Sequence, residues 1–519
     1  RREVIRARAV DLLFEAGEEA ARHLATERAR ERVRVGLELA QGSIERARGL
    51  EILVSMQLWA DDGNGAWRSG REAIDLRMSA GPVSKADRRA VAHLAGVLLA
   101  IPTRWPGLMR QLPSRPEAAP YLELGLTMLE EGDSEERLRL LMARGAWSWG
   151  FAEAETDAKR MHEDRAAAEE AVAMARRLGR PDLLSAALDT LGATGVLLGG
   201  YGLSVESQEE RLLLVPQLDD LVEVVDIYGT SAWGLAHIGD YRRAAELGAI
   251  GLARGSEKGV GNYVPGVFYA VATFRLGRWD EFWRIFAEGN ATFGLSDREK
   301  VLRYHAYRLY GVAAYVSEVT GDSAAADRYI ERLDSSQAAQ GSVGISAARL
   351  WIVMTLVRRG EFGEARARLA VLDPVRDIQN RDLTLEGWAD LVAAEGTWDE
   401  AAAIVAEARD WSGRTGLRFL PGVADRLQGQ AALAAGEHER AMRLLGAARD
   451  GFTRLEVPWE RARTELSLAQ AYLAAGSGTK AATTVRAALE TFSALGAQVE
   501  IEHAAALRAQ ASELADSPR

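Results

Sequence analysis

The chain contains no cysteine. That excludes disulfides, thiolate metal sites and cysteine nucleophiles, and it fits a reducing cytosol. Long apolar runs are missing too: no stretch approaches the roughly 18 residues of a membrane-spanning helix, and no signal peptide opens the sequence. There is no excess of positive charge. The 64 Lys and Arg are outnumbered by 75 Asp and Glu, for a net charge of −11. Arginines are interspersed with glutamates, as in the run Glu27 to Arg32, so a solvated helix face is expected there instead of a nucleic-acid surface, which needs concentrated positive charge. Proline is scarce, 13 in 519 residues, and five of these fall between Pro102 and Pro120. Proline disfavours helix interiors, so that stretch is expected to be an irregular connection and a domain boundary. The chain starts at Arg1-Arg2 in mid-pattern and reads as a piece of a longer polypeptide.

Motifs for chemistry are missing as well. No phosphate-binding Gly-x-x-x-x-Gly-Lys-Ser/Thr loop occurs; Gly476 to Lys480 has similar residue types in the wrong order. The seven histidines are scattered without ligand spacing. No Gly-x-Ser-x-Gly nucleophile elbow is found. The chain is therefore expected to be no enzyme and to take no cofactor.

What the sequence does contain is a punctuation mark: a glycine followed five residues later by alanine. It occurs at Gly239/Ala244, Gly321/Ala326, Gly360/Ala365, Gly396/Ala401, Gly436/Ala441 and Gly476/Ala481, with a degenerate copy at Gly277/Phe282. The steps between glycines are 38, 44, 39, 36, 40 and 40 residues. A period in this range signals stacked helix pairs, each too thin to bury its own apolar face. In the last unit Ala462, Leu466, Ala469 and Leu473 form one apolar stripe, and Ala481, Val485, Ala488, Phe492 and Leu495 form the facing one. Glycine stops the first helix in a left-handed conformation and alanine lets the second approach closely. Aromatics two residues after the glycine (Tyr241, Trp279, Phe362, Trp398) are expected to wedge between neighbouring repeats. Residues 255–266, rich in glycine, are expected to be an inter-repeat loop. Upstream, Gly63 with Ala66 and Ala73 reads as one irregular unit, and Leu183 to Gly200 as the first helix of another.

These features resemble the tetratricopeptide repeat. The family register carries Ala232, Ala270, Ala314, Val353, Ala389, Gly429 and Ala469 as the close-packing position of the first helix in each pair. The period is nearer forty than thirty-four, the family's terminal proline is mostly missing, and Gly251 stands where alanine is expected. The resemblance implies an all-α solenoid, a right-handed superhelix of antiparallel helix pairs with at least seven pairs after residue 215 and contacts mostly between sequence neighbours. The expected divisions are an irregular helical segment at 1–101, irregular repeats at 121–214, regular repeats at 215–497, and a C-terminal helix and tail at 498–519. Repeats this long look like the C-terminal sensor region of large bacterial signal-transduction ATPases and LuxR-type regulators.

In the family the first helix of each pair lines a concave groove. By register the groove positions are Trp233, His237, Arg275, Tyr315, Glu318, Met354, Arg358, Asp390, Arg426, Gln430 and Gln470. Arginines with aromatics suit a peptide or a small anionic ligand. The resemblance thus implies a non-catalytic, cytoplasmic module that senses a ligand or partner within a signalling or transcriptional regulator, without nucleic-acid or membrane contact. The alternative is a protein-interaction or self-assembly scaffold with no small-molecule ligand. Arg358, Trp233 and Arg426 are expected to be exposed in the groove, acting in binding more than in stability, so that Arg358→Ala moves stability by about half a kcal/mol or less.

Overall fold

The computed structural model describes residues 1–22, 26–60, 62–81, 84–109, 111–151, 158–258, 264–293, 307–335, 343–371 and 378–516. Among them the regular structure is all helical, with no strand. The chain divides into two compact units at Thr194/Gly195.

The first unit holds α1 (Arg2–Arg22), α2 (Thr26–Leu39), α3 (Ser43–Trp59), α4 (Gly63–Ser79), α5 (Lys85–Arg104), α6 (Arg115–Thr127), α7 (Glu135–Gly145), the short α8 (Trp147–Gly150) and α9 (Ala158–Leu178). The next helix, α10 (Pro181–Leu197), crosses the division. Gly63 opens α4, and Ala66 and Ala73 are fully buried on it. They face a core that includes Trp67, Leu98, Leu140 and Trp147. The proline-rich stretch departs from expectation. Pro102 sits in the last turn of α5 and Pro120 inside α6; among the described residues between these helices, 105–109 and 111–114 leave the α-helical path, with a 3-10 turn at Pro106–Leu108. Each proline forfeits one ladder bond, Pro102 in the last turn of α5 and Pro120 at the sixth of the thirteen residues of α6.

The second unit begins with α11 (Tyr201–Leu214). Seven antiparallel pairs follow: α12 (Leu221–Ile238) with α13 (Tyr241–Lys258), α14 (Val264–Arg275) with α15 (Trp279–Phe293), α16 (Tyr307–Val319) with α17 (Ser323–Asp334), α18 (Val343–Arg359) with α19 (Phe362–Ala370), α20 (Arg381–Glu395) with α21 (Ala401–Thr415), α22 (Leu420–Ala434) with α23 (His438–Arg454), and α24 (Pro458–Ala474) with α25 (Gly478–Leu495). A last helix, α26 (Gln498–Asp516), packs on α25. The architecture is the expected tetratricopeptide-like α-solenoid. Of the glycine-rich stretch, Gly255 to Lys258 extends α13 and Val264 to Gly266 opens α14; residues 259–263 lie outside the described residues.

Each pair turns as the punctuation demands. Gly239, Gly277, Gly321, Gly360, Gly396, Gly436 and Gly476 all have φ between 71° and 86°. At each, the N–H of the residue after the glycine reaches back five residues, as in Asp240 N–H to Leu235 C=O at 2.9 Å and Ser477 N–H to Tyr472 C=O at 2.8 Å. Five residues on, Ala244, Ala326, Ala365, Ala441, Ala481 and Phe282 are fully buried. The close-packing register holds as well: Ala232, Ala270, Ala314, Val353 and Ala469 have no exposed surface. A Cβ on Gly251 would lie 2.6 Å from the Tyr228 Cβ and 2.8 Å from the Pro265 Cβ, so α13 approaches α12 and α14 too closely even for alanine.

Contacts do not stop at sequence neighbours. A Cβ on Gly277 would stand 2.5 Å from Pro458 Cγ, and the Trp459 indole donates to the Tyr315 hydroxyl at 3.0 Å. Trp279 likewise meets Trp459, 180 positions on, with ring centroids 5.6 Å apart, where a wedge between adjacent repeats was expected. The repeats wind tightly enough that early pairs touch late ones.

This makes a ranking of glycine replacements. Gly476 has open space beside it, so Gly476→Ala should cost about 1–2 kcal/mol from the left-handed backbone alone. Gly277→Ala adds the collision with Pro458 and should lower the denaturation midpoint further, as read by urea unfolding of the two variants side by side.

Candidate functional site

The eleven groove positions lie on the first helices of the pairs, from α12 to α24. Their exposure is not what the register led us to expect. Trp233, His237, Arg275, Tyr315, Met354, Asp390 and Arg426 are buried, and Glu318, Arg358, Gln430 and Gln470 are half-buried. The expected open groove is closed by the inner faces of repeats that follow.

Arginine and carboxylate meet at its centre. Arg275 at the end of α14 donates both Nη atoms to Glu386 of α20, at 3.0 and 2.7 Å, across 111 residues. Its guanidinium also stacks 4.9 Å from the Trp351 ring and 4.4 Å from the Phe419 ring. Arg426 of α22 donates to Glu460 of α24 and to Asp390 of α20, the latter at 3.2 Å. Arg463 reaches Asp390 at 2.9 Å and Glu460 at 3.1 Å. Glu460 comes within 4.0 Å of Arg275 and so joins the two groups. Three guanidiniums and three carboxylates balance there. Apart from Arg463, every side chain in this set is at most 8% exposed.

Burial and charge oppose one another in this network. Burial alone would raise the Glu460 carboxyl, but Arg463, Arg426 and Arg275 together hold it at about 2. Burial disfavours the charge on Arg275, and the Glu386 carboxylate more than offsets this, leaving the guanidinium firmly protonated. Burial pushes the Glu386 carboxyl up against the pull of Arg275, with Glu460 and Asp390 adding to the rise.

Most of the remaining positions are also engaged. Arg358 pairs with Glu500 of α26, 142 residues on, and lies over the Trp459 ring at 5.6 Å. Glu318 accepts from Arg359 at 2.8 and 2.6 Å. Gln430 Nε2 donates to the Ser467 hydroxyl at 3.1 Å. The His237 ring stacks on Tyr201 with centroids 5.3 Å apart, and its Nδ1 lies 2.9 Å from the Trp233 carbonyl; burial lowers its pKa and keeps it neutral. Met354 is buried in the shared core beside Tyr315. A cavity of about 30 Å³ lies beside Arg275, its lining including His237, Tyr241, Arg308 and Trp351. The expectation that Trp233, Arg358 and Arg426 are exposed in the groove is therefore corrected, and with it the reason for expecting Arg358→Ala to change stability by only about half a kcal/mol or less. Both guanidiniums are ion-paired and largely removed from water.

Register reasoning missed Glu386, Glu460, Arg463, Trp351 and Trp459. A signal was present: inner positions of consecutive repeats carry opposite charges, Asp390 then Arg426 then Glu460, a pattern suited to pairing with one another.

Among the described residues no group of three or more His, Asp or Glu is placed to hold a metal ion, and no helix is long and apolar enough to cross a membrane. No protein-family model and no curated protein sequence matches the chain. Among solved structures it is similar to a chain of the APC/C hetero-tetramer Cut9–Hcn1, at 13% identity over 95% of this chain and 96% of that one, with a TM-score of 0.42. It is also similar to yeast Tom70, at 11% identity over 98% and 100% of the two chains, with a TM-score of 0.30.

Removing one member of a buried ion network leaves its partners charged without water, at about 3–5 kcal/mol. Arg426→Ala should therefore destabilise the second unit by that order, measured by urea denaturation. The pH dependence has a definite sign. With its folded pKa held at about 2, Glu460 contributes stability above its ordinary value of 4.5 and loses it as pH falls through about 2. The stability gap between wild type and Glu460→Gln should thus be full above pH 4.5 and shrink toward pH 2.

Proposed function

We propose that this chain is a non-catalytic, tetratricopeptide-like module that holds protein partners, a scaffold without a small-molecule ligand. The observation that supports this is the filled inner face. Cofactor and ligand sites commonly enclose about 300–1,000 Å³. The cavity of about 30 Å³ beside Arg275 has room for about one or two waters. Partners then engage the outer helices and the rims where early and late repeats meet. The acidic net charge of −11 favours protein partners over nucleic acid. The reading as the sensor region of a bacterial signalling or transcriptional regulator, working in the cytoplasm, requires the inner face to open. A charged ligand would there replace the pairing of Arg275 with Glu386 and of Arg426 with Glu460 and Asp390.

Two measurements separate these readings. A thermal-shift panel of small anionic metabolites should leave the melting temperature unchanged, whereas a true ligand at a hundred times its Kd would add about 2.7 kcal/mol. A photo-crosslinker at Ile250, which is 43% exposed on α13, should give discrete protein adducts in the cells of origin, while one at the buried Met354 gives none. A metabolite whose stabilising effect vanishes in Arg275→Met would overturn the scaffold reading in favour of the sensor.

A further inference from the structure

The second helices α21, α23 and α25 end at positions spaced by forty residues, Gly416, Glu456 and Gly496. All three are left-handed, with φ of 77°, 58° and 69°. Among the described residues Glu456 is the only non-glycine with positive φ. Its backbone does what glycine does at the equivalent position: the Val457 N–H reaches the Phe452 carbonyl at 3.1 Å, as Ala497 N–H reaches Phe492 at 3.0 Å. The turn does not need the side chain, and the side chain strains the turn.

What the glutamate adds is a carboxylate. It receives both Nε and Nη2 of Arg242, 214 residues earlier, with the Nε contact at 3.1 Å. The pair borders a hollow of about 150 Å³ lined also by Gly239, Asp240, Arg418, Arg454 and Leu455. Arg418 gives its Nε to the Ile238 carbonyl at 2.8 Å and reaches Asp240 only at 3.9 Å. Arg454 is exposed, and neither a hydrogen bond nor an ion pair engages it among the described residues. Three guanidiniums thus line the hollow against two carboxylates, with Glu246 also acting on Arg242 from outside the lining. The Arg242 and Glu456 side chains are 62% and 45% exposed, so their pairing is of the weak, exchangeable kind.

We propose that this hollow is a rim subsite for the carboxylates of an acidic segment on a protein partner, with Glu456 as a built-in occupant that the partner displaces. The proposal rests on the interaction-module reading and names the chemistry of one contact. Guanidinium forks match carboxylates bidentately, and Arg418 and Arg454 retain donors that Asp240 and Glu456 do not use. A carboxylate arriving on a partner takes over Arg242 and engages these donors, while Glu456 swings into solvent.

The test is fluorescence anisotropy of a labelled, N-acetylated hexaglutamate peptide on the full chain, with inorganic phosphate as a second probe. Glu456→Gln keeps the backbone conformation and removes the competing charge, so it should bind the peptide about tenfold more tightly than wild type, as expected when a competing occupant is removed. Adding Arg418→Ala and Arg454→Ala to that variant should abolish the gain at an unchanged melting temperature, and raising the salt should weaken binding. Equal affinity of wild type and Glu456→Gln, absence of binding by either, or binding that survives both arginine replacements would overturn the subsite. Phosphate binding as tightly as the peptide would assign the hollow to free anions and overturn the partner. Should the peptide fail while the Ile250 crosslinker still captures a protein, the subsite falls and the interaction module stands.

Discussion

A guanidinium shut away from water must find its counter-charge, and Arg275 finds it 111 residues along the chain, in Glu386. Burying an ion costs several kcal/mol, which is recovered only when geometry and partners are both right. This constraint governs the second unit. Phe274, Tyr315, Trp351 and Trp459 bring inner helix faces together through apolar area, which has little directional preference. The pairings of Arg275 with Glu386, of Arg426 with Glu460, and of Arg426 and Arg463 with Asp390 each join different helices, so a shift of one repeat would break them. The apolar side chains supply the attraction, and the charges select which repeats meet.

Close approach is the second requirement, and small residues meet it. At Gly311 an added Cβ would lie 2.7 Å from the Ala348 carbonyl oxygen, and at Gly422 it would strike the Phe452 ring at 2.8 Å. Helices that touch backbone to side chain at these points bring the first helix of each pair near the shared centre. The chain thereby converts a surface that such repeats commonly leave free into a core. On the proposed reading as an interaction module, an inner face already filled with its own side chains leaves the rims and the outer helices for partners.

Local architecture was legible in the sequence and long-range closure was not. Glycine followed by alanine marks six turns and a degenerate Gly277/Phe282 copy a seventh, and each glycine is left-handed in the structure because the five-residue return hydrogen bond requires it. These are interactions within a dozen residues, and a periodic sequence displays them directly. Whether Arg426 faces water or Glu460 depends instead on small rotations between neighbouring pairs, accumulated over several repeats. No single window of sequence carries that sum. The register grouped Arg275, Arg358 and Arg426 on the first helices of their pairs, yet it could not tell that these side chains pack against later repeats. The alternation of Asp390, Arg426 and Glu460 was the trace of that meeting. Pro102 and Pro120 misled for a simpler reason: each removes a single ladder bond, and composition alone does not say whether the surrounding helix tolerates that.

The account turns on repeats far apart in sequence being joined through buried charge. A double-mutant cycle on Arg275→Met and Glu386→Leu, followed by urea denaturation of the full chain, measures that joining directly. The two single variants should each be strongly destabilised and the double variant much less so than their total, with a coupling energy of about 2–3 kcal/mol. A coupling near zero would mean that α14 and α20 do not meet, and that the inner face stands open.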